Sequence, residues 1–535
     1  MTNLTADSEA VLAPRFHRGL SAGIVGILTL MVSGFGYLRE AALAGRFGVS
    51  STMDAYFGAV FIPNILYFVL IAGTLSPIFI PILLQDNAGE DHARASETFS
   101  VVTTFALMVL LVAVALGMIT APYWLPLLFA GFSASTVQTA VRLVYIVLPA
   151  VLFLALSGIL TATLNGFHRF ALAAFAPALS SMAIIAATFM ARGDNAVYVV
   201  GLGTAAGFLL QGIFLVPATA ALGLRYRPRL ALRHPAIKKL LRLGGPLLLY
   251  LVVANIASLL ERNLASRLSA GAVSTLTYAQ RLFLVPASLL AAPLAIVAYP
   301  QFAAEALLDR RGNLFQQVTR MFRMVLFLFL PVTVWAILNA LPVTRIFYEH
   351  GRFLPADSLI TARVLAIYCY AILPNAIAIV LLRCFFAIED TVTPLVTELI
   401  NLVLFALAAM FLTARWGLSG LVISRTISFA LVAIMLTSVL RKMRLLTLDF
   451  SFAGFFARTA VASLAMGAVS WISFRFLQSF FNAGATPLRL GILLMVLAIS
   501  AATYLAFARL LGIGEAHRIM STVIEFIPGV GRAAK

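Results

Sequence analysis

The sequence predicts an all-α polytopic membrane protein of about fourteen transmembrane helices, and three observations carry that prediction. Of its 535 residues, 62% are hydrophobic and only 11% are charged, against roughly half and a quarter in a soluble domain. The mean hydropathy of +1.02 is more apolar side chain than a water-facing fold can cover. Apolar runs recur along the whole chain, and Lys and Arg gather in alternate gaps between them.

A spanning helix needs about 20 apolar residues at about 1.5 Å of rise each. By that measure the first group of segments is 21–38, 55–84, 99–120, 138–164, 171–191 and 196–222. After a polar break come 246–268, 275–300, 323–344, 360–388, 394–414, 418–440, 459–480 and 489–511. The expected organisation is therefore a cytoplasmic N-terminal tail (1–20), an N-lobe of six spans (21–222), a basic linker (223–245) and a C-lobe of six spans (246–440). A basic loop (441–458), two further spans (459–511) and a C-terminal tail (512–535) complete it.

Orientation follows from the basic residues. Arg15 and Arg18 precede the first segment and place the N-terminus in the cytoplasm. The loops that then fall on the same side hold Arg169; Arg225, Arg227, Arg229, Arg233, Lys238, Lys239 and Arg242; Arg310, Arg311, Arg320 and Arg323; and Arg441, Lys442, Arg444 and Arg458. Arg518, Arg532 and Lys535 add to the tail, whereas 121–137 and 481–488 carry no basic residue. The net charge of +18 is thus a topology signal, and nucleic acid is not an expected partner. Residues Met1 to Leu20 lead into an apolar run too long for a signal h-region, with no cleavage-like site after it.

The two halves resemble each other. Ser51-Thr52, Pro63 and Pro77 recur at one offset as Ser274-Thr275, Pro286 and Pro300. Leu38-Arg39-Glu40 has a counterpart in Leu260-Glu261-Arg262, one residue out of register, Pro149 in Pro374, and Gly131-Phe132 loosely in Gly351 to Phe353. A direct repeat of six helices gives both copies one orientation, with the pseudo-twofold axis along the membrane normal. Two such bundles can enclose a cavity that opens to either side, which is a transporter's arrangement.

An ionisable side chain within hydrocarbon costs several kcal/mol unless a cavity or partner receives it, so each is a functional candidate. In the first segment Ser33, Gly34 and Gly36 permit a break or bend beside Arg39 and Glu40. Arg39 then either aims its donor fork into a wet cavity, where it suits a phosphate oxygen pair, or reaches the interface and pairs with Glu40. Asp54 is either the N-cap of the second helix or a counter-ion to Arg39. Glu261 and Arg262 are neighbours that face different sides of a helix, so at least one needs a partner across the bundle. Arg267 follows in the same segment. Arg281 either joins Arg39 in a cationic clamp on an anionic head group or bridges to Glu261. Arg383, Glu398 and Asn401, with Asn255 and Ser258, either hold a coupling monovalent cation through oxygen ligands or make ordinary interhelical hydrogen bonds. Glu389 and Asp390 read as solvated loop residues.

No catalytic constellation emerges, so an enzyme is not expected. The six histidines (His17, His92, His168, His234, His350, His517) are scattered, no P-loop is present, and no cofactor or metal site is expected. Cys369 and Cys384 lie in apolar runs and read as buried free thiols rather than a disulfide. Energy would come from an ion gradient, the substrate gradient or the membrane potential, where one charge through 100 mV is worth about 2.3 kcal/mol.

Longer motifs then carry a resemblance. Leu38-Arg39-Glu40-Ala41, Arg46-Phe47-Gly48, Met53-Asp54-Ala55-Tyr56-Phe57, Pro63-Asn64 and Phe79-Ile80-Pro81-Ile82-Leu83 follow one another in order. So do Leu164 to Phe170 (LNGFHRF), Phe175-Ala176-Pro177, Tyr278-Ala279-Gln280-Arg281-Leu282, Ile346 to Phe353 (IFYEHGRF), and Glu389-Asp390-Thr391 with Thr393-Pro394. Over about 20–440 the chain resembles the MurJ (MviN) family of the MOP exporter superfamily. The resemblance implies two six-helix lobes plus two C-terminal helices in a bacterial inner membrane, both termini cytoplasmic. It implies that lipid II, an undecaprenyl-diphosphate-linked glycan, is flipped from the cytoplasmic to the periplasmic leaflet by alternating access, with membrane lipid and cell-wall synthesis proteins as further partners. Arg39, Asp54 and Arg281 match positions that matter in that family, and Glu261 and Arg262 join them as candidate substrate-binding residues. Ser33 and Tyr67-Phe68 stand where the family usually has arginines. That departure keeps open a flippase for another polyprenyl-diphosphate oligosaccharide. A cation-coupled multidrug exporter, which would want an acidic cavity, and a non-transporting scaffold are the remaining readings.

Overall fold

The structure is a computed structural model that describes residues 15–87, 92–308, 311–447 and 449–516. Arg310, Arg518, Arg532 and Lys535, and the outer parts of both expected tails, lie outside the described residues. Among the described residues every regular element is helical, as an interior without water requires of backbone N–H and C=O groups. In chain order the helices are α1 (Arg15–Phe47), α2 (Ser51–Tyr67), α3 (Ser76–Asn87), α4 (His92–Leu128), α5 (Ala134–Val147), α6 (Val151–Gly166), α7 (Phe170–Met190), α8 (Ala196–Ala220) and α9 (Pro235–Ser266). They continue as α10 (Ala272–Pro286), α11 (Ala292–Leu307), α12 (Arg311–Leu338), α13 (Ala340–Tyr348), α14 (Pro355–Cys369), α15 (Ile372–Ala387), α16 (Val392–Lys442), α17 (Phe450–Ala483) and α18 (Thr486–Leu510).

Among the described residues ten helices are long and apolar enough to cross a bilayer, or up to twelve when each of two bent pairs counts as one span. The expected fourteen exceeds this in part because two expected segments are joined. Segments 394–414 and 418–440 form one continuous element, the 51-residue α16. At about 1.5 Å per residue it would be some 76 Å long if straight, more than twice a hydrocarbon core. It is not straight: Gly417 has φ 56° and ψ −135°, and a Cβ on Gly420 would meet the Leu412 carbonyl, so the chain doubles back there. The segment expected at 323–344 is two helices, α12 and α13. The break expected near Gly34 and Gly36 is absent, because α1 runs unbroken through both.

The chain forms two compact units. Among the described residues, the first comprises those within 15–47, 51–128 and 132–252, and the second those within 48–50, 129–131 and 253–516. In the first unit α1 packs on α7 and α7 on α8. Small residues bring α7 and α8 together: a Cβ on Gly207 would lie 2.8 Å from Ser180 Cα, and one on Gly203 would strike Ala187 Cβ. Such close backbone approach is how helices associate where lipid offers no hydrophobic drive. In the second unit α12 packs on α15 and α17, α17 on α18, and α14 and α15 on α16.

Each unit repeats one set of distortions. Pro63 lies inside α2, followed by a π-helical stretch, Phe68–Leu75. Pro286 closes α10, followed by a π-helical stretch, Ala287–Ala291. Proline removes an i→i−4 bond and crowds the turn before it, so Pro77 and Pro293, which follow the two stretches, are the residues that favour such widening. Helices α5 and α6 meet at 46° around Pro149, and α14 and α15 meet at 45° just before Pro374.

Candidate functional site

Helix α1 delivers Arg39 and Glu40 as adjacent residues. Arg39 Nη2 donates to Glu40 Oε1 at 2.7 Å, with the arginine side chain 21% exposed and the glutamate 3%. The ion pair foreseen as one alternative therefore forms. Asp54 is buried in the first turn of α2. It is not the N-cap, since α2 begins three residues earlier at Ser51; a carboxylate there complements the positive end of the helix dipole.

The second unit brings together a larger set. Glu261, 1% exposed on α9, accepts from the Tyr368 hydroxyl of α14 and from Gln280 Nε2 of α10 at 3.0 Å. Gln280 Nε2 also reaches Tyr368 Oη at 2.9 Å. Arg425 Nε of α16 lies 3.7 Å from Glu261 Oε2. Its guanidinium sits 4.8 Å from the Phe429 ring centroid and 5.3 Å from that of Phe405, where ring quadrupoles favour a cation. Arg262 turns the other way, donating to Thr277 Oγ1 at 3.2 Å and Gln280 Oε1 at 3.4 Å. Gln280 thus joins the two neighbours, its amide nitrogen on Glu261 and its oxygen on Arg262, while Tyr368 and Arg425 serve the acid alone. Arg281 stands exposed on α10, and Arg267 lies one residue beyond the end of α9 rather than within it.

The candidate coupling residues divide. Ser258 receives Arg425 Nη2 at 3.4 Å. Asn401 donates to Glu398 Oε1 at 3.4 Å and accepts from Ser428 Oγ at 2.8 Å. Asn255 is half-buried on α9, and Arg383 is exposed on α15. Asp390, read as solvated, instead caps α16, accepting from the Val392 and Thr393 backbones at 3.1 and 2.9 Å. Cys369 and Cys384 are buried free thiols.

Arg425, Tyr368 and Ser428 were not singled out from sequence. The signal for Arg425 was present: a lone guanidinium inside the apolar run 418–440 is a candidate by the same rule that picked Arg39. Tyr368 and Ser428 carry no charge and nothing local distinguishes them.

Compared with known proteins, residues 43–509 match the family described as lipid II flippase MurJ. The lipid II flippase MurJ of Burkholderia cenocepacia is 29% identical over 512 residues, covering 91% of this chain and 98% of that protein. The probable lipid II flippase MurJ of Rhizobium meliloti is 29% identical over 514 residues, covering 93% and 94%. Among solved structures, a lipid II flippase MurJ in an inward closed conformation matches with a TM-score of 0.76 at 24% identity, covering 91% of this chain and 98% of that one. An inward-facing multidrug resistance MATE transporter of the MOP superfamily shares the fold at a TM-score of 0.63 and 17% identity, over 78% and 98%. A multi-pass helical chain whose sequence follows one family through 43–509 belongs to that family, the lipid II flippases of the MurJ type.

Proposed function

We propose that the protein flips lipid II from the cytoplasmic to the periplasmic leaflet of a bacterial inner membrane by alternating access, without covalent chemistry. The observation that carries this reading is the family match across 43–509. In this reading fourteen spans cross the membrane: the twelve counted above, α1, and the second limb of α16. The N-lobe is 21–222, the linker 223–245 and the C-lobe 246–440; the loop 441–458 and the spans in 459–511 follow, and both tails are cytoplasmic.

Arg39, Asp54, Glu261, Arg262 and Arg281 form the substrate-binding set. Diphosphate is the group that guanidinium forks recognise through paired oxygens. Arg281, exposed on α10, is able to meet such a head group directly. Arg39 exchanges its bond to Glu40 for one to phosphate. The membrane potential or an ion gradient supplies the drive, with Asn255, Ser258, Glu398 and Asn401 as the place for a coupling monovalent cation. Cell-wall synthesis proteins take the product.

A second reading, a flippase for a different polyprenyl-diphosphate oligosaccharide, is favoured by Ser33 and Tyr67-Phe68 standing where the resemblance expects cations. Complementation of a strain depleted of its lipid II flippase separates the two. The wild-type chain is expected to restore growth, and Arg39→Ala and Arg281→Ala each to abolish it while still inserting. Growth with both alanine forms would remove the anion-clamp reading. Failure of the wild type, correctly inserted, would move the substrate to another glycan.

A further inference from the structure

The basic segment after α8 is held against α4 by a ladder of hydroxyl groups. Ser96 Oγ accepts from the Arg225 backbone N–H at 3.2 Å. Ser100 Oγ donates to the Arg225 carbonyl at 3.2 Å and accepts from the Arg227 N–H at 3.0 Å. Thr104 Oγ1 accepts from the Arg229 N–H at 3.3 Å and lies 3.2 Å from Tyr226 Oη. Tyr226 also sets its ring edge-on to Phe99, with 6.2 Å between centroids. Every second residue is gripped, so the segment is extended and Arg225, Arg227 and Arg229 share one face. Pro228 fits the register, because its missing N–H falls where the ladder asks for none, and it holds Arg227 extended.

That face lines a cavity of about 560 Å³ together with Ala93, Ser96, Glu97 and Ser100. Arg229 Nη1 is paired with Glu97 Oε1 at 2.7 Å. Arg225 and Arg227 enter the ladder through their backbones, and among the described residues neither guanidinium meets a carboxylate. The cavity therefore carries two guanidinium groups that meet no carboxylate among the described residues and whose backbones are fixed by a scaffold of hydrogen bonds. Its place along α4 is telling. A helix of 37 residues is about 55 Å long, some 25 Å more than the hydrocarbon it crosses. The ladder lies on the polar end of that helix, His92 to Thr104. In the second unit the comparable cavity is lined by Glu305, Glu389 and Asp390, which gives it the opposite sign.

We propose that the strap formed by Arg225, Arg227 and Arg229 on α4 is a binding site for a phosphate-bearing anion, separate from the substrate set above. Two sources share that chemistry, an anionic phospholipid headgroup at the membrane surface and a free diphosphate in the adjoining water. Paired guanidinium forks suit either, and juxtamembrane cations draw anionic lipid.

The test uses the purified full chain in a nonionic detergent, titrated separately with dihexanoyl phosphatidylglycerol, dihexanoyl phosphatidylcholine and inorganic diphosphate, with bound species counted by native mass spectrometry. Phosphatidylglycerol binding with none of phosphatidylcholine identifies a headgroup site. Diphosphate binding without phosphatidylglycerol identifies the free anion as the source. In either case R225A/R227A is expected to weaken binding about thirtyfold, R225K/R227K to weaken it less, and Arg242→Ala, on α9 outside the strap, to leave it unchanged. The lysine pair also guards against misfolding, since it keeps both charges on the same scaffold. Absence of binding by either anion, or equal losses in R242A and R225A/R227A, overturns the proposal.

Discussion

The two units share a frame and differ in what they bury. Each carries a proline-linked π-helical stretch and a helix bent near 45°, yet the matched tripeptides Leu38-Arg39-Glu40 and Leu260-Glu261-Arg262 behave differently. In the first unit Glu40 pairs with its neighbour Arg39, and packing in that unit relies on small residues between α7 and α8. In the second the order of the charges is reversed. Glu261 is bound from three other helices, through Gln280, Tyr368 and Arg425. A repeated backbone, then, does not dictate a repeated interior. Adjacent residues stand about 100° apart around a helix, so the order of an acid and a base decides which neighbouring elements the acid faces.

The largest effect should come from breaking that network on one side. Arg425→Ala leaves Glu261, 1% exposed, without its cation, and an uncompensated buried charge costs about 3–5 kcal/mol. Gel filtration after heating in detergent should show a clear loss of surviving monomer, with part of it restored in Glu261→Gln/Arg425→Gln. A loss no greater than that of Glu40→Gln would erase the distinction between the units.

Next in size is overpacking in the first unit. Gly207→Leu puts side chain where Ser180 Cα and O lie 2.8 and 2.9 Å from a bare Cβ, a cost of about 1–3 kcal/mol. The same heating assay should show it, and an unchanged midpoint would mean that α7 and α8 have room to separate. The smallest change is Tyr368→Phe. It keeps the ring stacked on Phe283 at 5.4 Å and removes only the hydroxyl donor to Glu261, worth about 1 kcal/mol. A loss as large as that of Arg425→Ala would show that the hydroxyl, not the guanidinium, neutralises the acid.

The helical class and the approximate place of the long apolar helices were legible because hydrophobic length fixes both. Doubling back at Gly417 was legible too, since 51 residues of one apolar helix have no bilayer to fill, although the secondary structure itself runs through it. Prolines in matching places marked the repeat. What escaped were contacts made across sequence distance. Glu261 and Arg425 lie 164 positions apart, and nothing near either names the other. Arg39 with Glu40 could be read because the partners are adjacent. Of the two readings of Asp54, the N-cap fails because Ser51 and Thr52, in front of it, start the helix earlier than the apolar run does. The hydroxyls of Ser96, Ser100 and Thr104 looked like ordinary polar residues at a helix end, and their common spacing acquires meaning only once an extended chain lies beside them.

That spacing also limits the strap's length. Four helical residues advance about 6.0 Å, two extended residues about 6.6 Å, and each step of four turns the helix a further 40° or so. The two rulers agree for three rungs, then drift apart in both advance and azimuth, like a vernier leaving coincidence. The next position in the series is Met108, which has no hydroxyl and is 43% exposed. A helix can hold only a short extended segment this way, so the number of arginines fixed on α4 is set by geometry at three, however many the rest of the linker carries.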